Sequence, residues 1–187
     1  SSAKQKSDFI VGNEYNIFST EGKVAFTTLG LKHGNYMPLK IFKELAVDSM
    51  SSVTSTFAKM NEGEGAAMQI LIRPADEKWK KEGKSYIAKT KKNEANPETA
   101  KYSSNAKEIE GIENKLSKPG FETVIRLVVS SSVKESAEAH LNNIVNAFSQ
   151  YNGSNTLSKP RRIWFKGTFI TDFIYRFFPL WNKGSIL

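Results

Sequence analysis

Two apolar segments, each carrying one arginine, most constrain what this chain can fold into. The first covers residues 66–72 and leads directly into Arg73 and a proline. The second covers residues 121–129 and contains Arg126 among branched apolar side chains. Apolar runs of this length, bounded by glycine and proline, are typical of buried β-strands. A helix-like pattern precedes the first segment and another follows the second, so we predict two similar halves around one sheet.

Turn and capping signals divide the rest of the chain. A β-hairpin is predicted over residues 15–31, and the proline within residues 36–45 favours an edge strand there. Ser132 and Glu135 have the spacing of a capping box that opens the helix after the second apolar segment. This order predicts an α+β fold with a ferredoxin-like split βαβ sheet and helices on one face. An N-terminal hairpin, a lysine-rich helical insertion and an aromatic C-terminal tail complete it.

The predicted organisation is one domain with extensions, as a length of 187 residues suggests. Residues 1–13 are predicted to form a flexible segment and residues 14–160 the α+β domain, with a helical and loop insertion over residues 75–119. Residues 161–187 are predicted to form an aromatic tail that leads toward a missing downstream domain. Because the first residue is Ser rather than Met, we expect the chain to be an excised or processed part of something longer.

Composition limits the chemistry and favours acidic partners. The chain has no cysteine, which excludes disulfides and thiol chemistry. Its net charge is +8, which favours nucleic acid, anionic lipid or an acidic protein face, although solubility alone would also explain it. No apolar run reaches the roughly 18 residues that a membrane-spanning helix needs.

Motifs for catalysis and for cofactors are missing from the sequence. No window matches the phosphate-binding pattern G-x-x-x-x-G-K-[ST] or the dinucleotide pattern G-x-G-x-x-G. His33 and His140 are isolated and lack the companions of a zinc site, so we predict that they are ordinary packed or partly exposed histidines. The chain is therefore predicted not to be an enzyme and to hold neither metal nor cofactor.

Strand periodicity places three polar side chains on one face of the predicted sheet, because alternate residues of a strand point the same way. They are Gln69, Arg73 and Arg126. If the purely apolar faces meet the helices, this other face is open and offers an anion or a partner a guanidinium contact. The alternative is that both arginines are structural and bond Glu side chains or backbone carbonyls.

A dense basic run follows the first apolar segment. It consists of Lys78, Lys80, Lys81, Lys84, Lys89, Lys91 and Lys92. Such a run can contact a phosphate backbone without reading its sequence, or it can simply be a solvated helix face. The open sheet face and this basic helix together define a candidate nucleic-acid surface.

Aromatic side chains crowd the C-terminal tail. The candidate docking residues are Trp164, Phe165, Phe169, Phe173 and Trp181. Trp and Tyr beside Lys and Arg also suit a bilayer interface, but Thr171-Asp172 interrupts the aromatic run, Pro179 breaks any helix, and no clean amphipathic stripe persists. We therefore expect the tail to pack on this domain or on a neighbouring one.

Several segments resemble the N-terminal domain that precedes the P-loop motor in HerA-like, conjugation-type ATPases of candidate-phyla-radiation bacteria such as Saccharibacteria. The most specific is Glu-Gly-Glu-Gly-Ala-Ala-Met-Gln-Ile-Leu-Ile-Arg-Pro at residues 62–74. The others are residues 37–40, 47–52, 109–115, 121–127 and 144–148, together with Trp79. The resemblance covers residues 24–187, and it departs from the family pattern at Asp48-Ser49, where the family has Asp-Pro.

The resemblance implies a non-catalytic accessory domain of a membrane-associated ATPase that translocates DNA or protein. Its task would be assembly or positioning of the motor, and its nucleotide-binding residues would lie outside this chain. The implied partners are the motor domain or other subunits of the machine, with a homo-oligomer formed through the parent protein. The implied location is cytoplasmic, at the inner face of the cell membrane. Sequence-independent binding of DNA stays open as the alternative, and a small enzyme that uses Arg73 is a third, weaker reading.

Overall fold

The computed structural model describes residues 22–41, 44–45, 50–95, 106–160, 166–179 and 184–187. The strands in chain order are β1 (Lys23–Leu31), β2 (Gly65–Pro74), β3 (Phe121–Ser131), β4 (Leu157–Ser158) and β5 (Ser185–Ile186). The helices are α1 (Ser51–Phe57), α2 (Lys78–Glu94), α3 (Ala106–Leu116), α4 (Lys134–Ala147) and α5 (Lys166–Tyr175). A 3-10 turn at Phe148–Tyr151 extends α4.

The strands form one antiparallel sheet in the order β2-β3-β1-β4, and β5 pairs with the start of β3. Helix α1 connects β1 to β2, and α4 connects β3 to β4. Crossing helices between strands that are not neighbours give the split βαβ arrangement. The predicted α+β, ferredoxin-like fold is confirmed, and α2 and α3 form the predicted insertion between β2 and β3.

Helices α1 and α4 cover one face of the sheet with apolar side chains. Leu127 and Val129 of β3 are fully buried there, against Val53 of α1 and Ile144 of α4. The apolar residues of the helices recur at helical spacing and those of β3 at strand spacing, so the sequence pattern indicated where these elements lie. Burying each such side chain contributes about 1.5–3 kcal/mol, so this layer forms the main core.

Helix α5 covers part of the opposite face, which the sequence interpretation had left open. Phe169 and Phe173 of α5 are buried against Val128 of β3, and Phe169 stacks on Phe26 of β1 with ring centroids 4.4 Å apart. Strand β3 is therefore buried on both faces, which explains its nearly continuous apolar sequence. The open-face expectation is wrong where α5 lies, because the aromatic tail packs onto its own domain.

Strand β2 is less central than its sequence indicated. It lies at one end of the described sheet, and Ile70 and Ile72 are 46% and 61% exposed. Helix α1 is only seven residues long, and the core that it helps to form includes Met68 but neither isoleucine. The prediction of a buried central strand at residues 66–72 is therefore wrong, although the strand itself is present.

Two further sequence predictions are wrong. Among residues 36–41 and 44–45 the chain makes turns in place of the predicted edge strand. Pro38 O accepts a hydrogen bond from Asn155 N, and Lys40 N donates one to Tyr151 O. These are isolated backbone hydrogen bonds and do not form the regular ladder of a β-strand. Helix α4 is present, but Val133 is its N-cap and no side chain caps it, so the Ser132 and Glu135 capping box is not formed.

Some predictions concern residues outside the described ranges. These are the flexible segment at residues 1–13, the first strand of the hairpin, and the candidate docking residues Trp164, Phe165 and Trp181. The second strand of the hairpin is β1.

Candidate functional site

Arg126 lies at the centre of the contact between the sheet and α5. Its side chain is 2% exposed, and its Nη1 donates hydrogen bonds to Gln69 Oε1 at 2.8 Å and to Asp172 O at 3.0 Å. Its Nη2 donates to Phe177 O and lies 3.7 Å from Asp172 Oδ2. Burial lowers the pKa of Arg126, and the Asp172 carboxylate opposes that effect. Arg126 therefore satisfies backbone carbonyls at the end of α5, and both of its Nη atoms have partners within the domain.

Gln69 and Arg73 complete this face of the sheet, as the strand period predicted. Gln69 Nε2 donates to Phe173 O at 2.9 Å, so Gln69 bonds α5 as well as Arg126. Arg73 Nε forms a 2.7 Å ion pair with Glu122 Oε2, and its guanidinium lies 4.4 Å from the centre of the Phe178 ring. In these contacts Arg73 bonds a Glu side chain and Arg126 bonds backbone carbonyls, the partners that the structural alternative names.

The C-terminal segment, residues 166–179 and 184–187, is bonded to the sheet along its described length. Glu122 Oε1 accepts a hydrogen bond from Gly184 N at 2.7 Å. Leu187 exchanges two backbone hydrogen bonds with Phe121, at 3.0 and 3.2 Å. The segment thus belongs to the sheet structure of this domain and does not project from it as a separate arm.

Lys115 of α3 also holds this segment. Its ammonium donates to Ile186 O at 2.7 Å and to Met37 O at 3.3 Å, and it lies 5.9 Å from the centre of the Trp79 ring. Burial lowers the pKa of Lys115 to about 8. A half-buried lysine that bonds two carbonyls links the insertion, the loop after β1 and the C-terminus.

An exposed aromatic pair marks the end of α5. Tyr175 and Phe177 are 65% and 55% exposed, and their rings stack with centroids 5.7 Å apart. Arg176, between them, has a φ of 58°, the left-handed conformation in which a helix commonly ends. The backbone carbonyl of Phe177 bonds Arg126, so this solvent-facing pair is attached to the core.

The predicted lysine-rich helix is α2. It packs on α3 through an apolar side that carries none of the lysines. Trp79, Gly83 and Ile87 are its buried residues. Asp76 Oδ1 accepts a hydrogen bond from Lys78 N, the first residue of the helix, at 3.0 Å. Because the side toward α3 is apolar, the lysines face solvent or lie at its margins.

Four of the lysines form a stripe directly opposite the buried side of α2. Lys78, Lys81, Lys89 and Lys92 fall within about 80° on a helix of about 3.6 residues per turn, and we call them the lysine face. All four are exposed, and no carboxylate of the described residues forms an ion pair with them. Lys80 pairs with Glu77 at 3.1 Å and Lys91 with Glu113 at 3.1 Å, both outside the stripe. Lys84 is exposed on another side of the helix.

A concavity of about 570 Å³ lies along this stripe, and we call it the tyrosine concavity. It is lined by Tyr36, Lys78, Lys81, Glu82, Ser85, Tyr86 and Lys89. The two tyrosine rings touch, with centroids 5.0 Å apart and planes inclined by 33°. Burial, with lesser effects from Glu82 and Glu108, raises the pKa of Tyr36, which keeps the phenol neutral.

Close packing at two glycines and one buried asparagine position Tyr36. A Cβ at Gly34 would lie 2.6 Å from Tyr36 Cε1, and one at Gly83 would lie 2.8 Å from Tyr36 Cβ. Asn155 is fully buried and donates to the carbonyls of Gly34 and Met37, at 3.1 and 3.2 Å. Sequence reasoning missed this arrangement, because Tyr36 and Asn155 are 119 residues apart and neither belongs to a periodic pattern.

A small polar cluster joins α4 to the start of β2. Glu64 Oε1 accepts from Ser131 Oγ at 2.8 Å, and Glu64 Oε2 lies 3.1 Å from His140 Nε2. The hydrogen bond from Asn61 N is the largest cause of the lowered pKa of Glu64, followed by the one from Ser131. Glu64 separates the hydroxyl from the imidazole, so the cluster lacks the serine-to-histidine contact of a hydrolase triad. His140 is a packed, partly exposed histidine, as predicted.

The described residues contain neither a metal-binding cluster nor a membrane-spanning helix. No cluster of three or more His, Asp or Glu side chains there could hold a metal ion. None of the helices in those ranges has the length and apolar character needed to cross a bilayer.

Comparison with known proteins gives one match. Neither a curated protein nor a solved structure matches the sequence. Residues 4–159 match a protein family described as a domain of unknown function. Because this match spans well over half of the 187 residues, the chain belongs to that family, Domain of unknown function (DUF8128).

Proposed function

We propose that this chain is a non-catalytic accessory domain of a membrane-associated ATPase that translocates DNA or protein, and that it helps to assemble or position the motor. The resemblance of residues 62–74 to the domain that precedes such motors supports the proposal. The observation that carries it is the exposed pair Tyr175 and Phe177, fixed at the end of α5. Exposed aromatic side chains on a rigid support are typical of protein interfaces.

The attachment of this aromatic pair to the core suits a positioning role. Arg126 bonds the carbonyls of Asp172 and Phe177, and β5 pairs with β3 only a few residues further along. In a parent protein with a motor after Leu187, the connecting segment would be part of the sheet. Rotation of this domain would then carry the motor with it, and a partner bound at Tyr175 would sense the same movement.

Crosslinking and affinity capture of the full-length parent protein test this role. We expect the double variant Tyr175→Ser/Phe177→Ser to lose most of its association with motor subunits or with other components of the machine. Val133→Ser is the matched control, since Val133 is also 50% exposed but lies at the start of α4. A wild-type protein that captures neither motor subunits nor machine components would refute the proposal.

The second candidate function is sequence-independent binding of nucleic acid by the lysine face. The observation that favours it is the stripe of Lys78, Lys81, Lys89 and Lys92, which spans about 21 Å at about 1.5 Å per residue. Ammonium groups in a row can neutralise consecutive phosphates, and this releases condensed counterions. The net charge of +8 supports the same partner class.

A salt titration of binding tests this second function. With four phosphates neutralised, log K should fall with log salt at a slope of about −3.6 for duplex DNA. Changing Lys81 to Gln should reduce the slope by about 1, whereas changing Lys84 to Gln should leave it nearly unchanged because Lys84 lies off the stripe. Absence of a mobility shift at about 50 mM salt would remove this candidate, since binding is strongest at low salt.

A further inference from the structure

The tyrosine concavity combines charge with aromatic rings at one place on the lysine face. Its lining includes Lys78, Lys81 and Lys89 against one acid, Glu82, so three positive charges face one negative charge. Tyr36 and Tyr86 contribute rings to the same surface. The concavity is shallow and open to solvent, and its volume of about 570 Å³ leaves room for a planar ring beside the lysines.

The tyrosines are positioned before any ligand arrives. Tyr36 fits between Gly34 and Gly83, where even a methyl group would collide with it. Tyr86 Oη donates to Glu108 Oε1 at 2.9 Å, which fixes the second ring against α3. Rings that are already immobilised lose little conformational entropy when a planar group stacks on them.

We propose that the tyrosine concavity binds single-stranded nucleic acid, with a base against the tyrosine rings and the adjoining phosphates on Lys78, Lys81 and Lys89. This inference rests on nucleic-acid binding by the lysine face. Bases of a single strand are free to leave their neighbours and stack on protein aromatics, whereas bases of a duplex are already stacked and paired. A surface of lysines alone would not distinguish the two forms, and the tyrosines supply the distinction.

Fluorescence anisotropy with labelled oligonucleotides tests the proposal on the whole chain. The probes are a thymidine strand of about 12 nucleotides, within the range that stacking surfaces cover, and a duplex of the same length. We expect the strand to bind more tightly than the duplex. Tyr36→Leu should weaken strand binding by about 5- to 100-fold, the loss expected for one stacked base, and should leave duplex binding unchanged.

Conservative variants separate stacking from folding and from charge. Tyr36→Phe keeps the ring and should bind the strand as the wild type does, and Tyr36→Leu is compared with it only where both retain the same far-UV circular dichroism. Lys81→Gln should weaken both probes, and Lys84→Gln neither, because Lys84 does not line the concavity.

Three outcomes would overturn the proposal, and they are distinguishable. Equal binding of strand and duplex, with no effect of Tyr36→Leu and a loss in Lys81→Gln, would reject the stacking site and keep the lysine face as a phosphate-binding surface. Failure of both oligonucleotides at low salt would reject the site and the second candidate function together. Binding to vesicles rich in anionic phospholipid without binding to either oligonucleotide would assign the lysines to a membrane surface.

Discussion

Gln69 and Arg126 face each other across β2 and β3, and a 2.8 Å hydrogen bond from Arg126 Nη1 to Gln69 Oε1 joins them beneath α5. Gln69 then donates its amide to Phe173 O at 2.9 Å. Every polar atom named here lies between an apolar helix and the sheet, where an unbonded group is costly. The pair therefore fixes where α5 sits, in addition to the apolar contacts of Phe169 and Phe173.

Replacement of Arg126 by Met should destabilise the protein strongly. The change leaves Gln69 Oε1 and Phe177 O without the donor that Arg126 supplies, and it leaves the Asp172 carboxylate without its cation. Asp172 O loses one of its two donors and keeps Phe177 N. We expect a loss of about 3–5 kcal/mol in the free energy of unfolding, measured by urea denaturation. Tryptophan fluorescence and far-UV circular dichroism should report the same midpoint if α5 unfolds with the sheet.

Arg73→Met is the matched control for that measurement. Arg73 also pairs with a glutamate, but its side chain is 49% exposed, so water replaces the lost partner. Its effect should be much smaller than that of Arg126→Met. Equal losses from the two variants would contradict the assignment of Arg126 as the buried support of α5.

Lys115 should give the protein a stability that rises with pH in the alkaline range. Burial lowers its pKa from an ordinary 10.5 to about 8. Between these values the unfolded chain keeps the proton that the folded protein has released, so the unfolded state binds more protons and unfolding becomes less favourable as pH rises. Since one pKa unit is about 1.4 kcal/mol, the limiting gain is about 3 kcal/mol.

The pH effect is isolated by comparing wild type with Lys115→Met in urea at pH 7 and pH 10. The difference in unfolding free energy should move in favour of the wild type at the higher pH. The exposed Lys118, changed to Met, controls for the general titration of surface lysines. A difference between wild type and Lys115→Met that is the same at both pH values would disprove the prediction.

Glu64 should contribute to stability at neutral pH and lose that contribution in acid. Its folded pKa lies below its ordinary value because it accepts hydrogen bonds from Asn61 N and Ser131 Oγ, with a smaller effect of His140. The stabilisation is therefore complete above the pKa of the unfolded chain and disappears as pH falls through the folded pKa. Glu64→Gln should be less stable at pH 6 and should show a shallower decline between pH 5 and pH 3.

The control for Glu64 is Glu138→Gln. Glu138 lies on the exposed side of α4, 3.7 Å from Lys134, and its ion pair is open to solvent. Acid titration of this variant, followed by circular dichroism, should parallel the wild type. If Glu64→Gln also parallels the wild type, the cluster with Ser131 and His140 does not stabilise the fold.

Gly83→Ala should destabilise the protein although alanine is the better helix former. The new methyl group would lie 2.8 Å from both Leu116 Cδ2 and Tyr36 Cβ, so the Leu116 side chain and the segment that carries Tyr36 would have to shift. We expect a loss of about 1–3 kcal/mol from this overpacking, read from the thermal midpoint. Gly167→Ala in α5 meets no atom within 4 Å and should stabilise by up to about 1 kcal/mol. A gain in both variants would show that Tyr36 is not packed tightly against α2.

Much of the fold was predictable because its signals are local. The apolar period of residues 121–129 located β3, and the helix-like pattern that follows it located α4. The faces of the strands were also correct, since Gln69 and Arg126 do point the same way. What the period could not reveal was α5 on that face, because the acceptors of Arg126 lie 46 and 51 residues further along the chain.

Of the lysine face and the tyrosine concavity, the sequence predicted only the lysines and not the arrangement of the residues around them. Lys78, Lys81 and Lys89 were identified from composition, yet their shared stripe depends on where α2 begins and on which side packs against α3. Tyr36 was assigned to a strand because Pro38 and Leu39 resemble a strand edge, whereas buried Asn155 bends that segment into turns. Similarly, the hydroxyl that bonds near the start of α4 is that of Ser131 rather than Ser132, and its partner is Glu64, which is 67 residues away in the chain.

The position of β3 in the sheet has a consequence for the order of folding. Lys23 pairs with Ser131 and Gly65 pairs with Ser130, so both β1 and β2 build their ladders on a strand made long after them. On a ribosome, β1 and β2 emerge before the strand that would align them, although the helices between β1 and β3 can already form. Completion of β3 supplies that template for β1 and β2, and β4 and β5 can join the sheet only after it, with Ile186 beside Glu122.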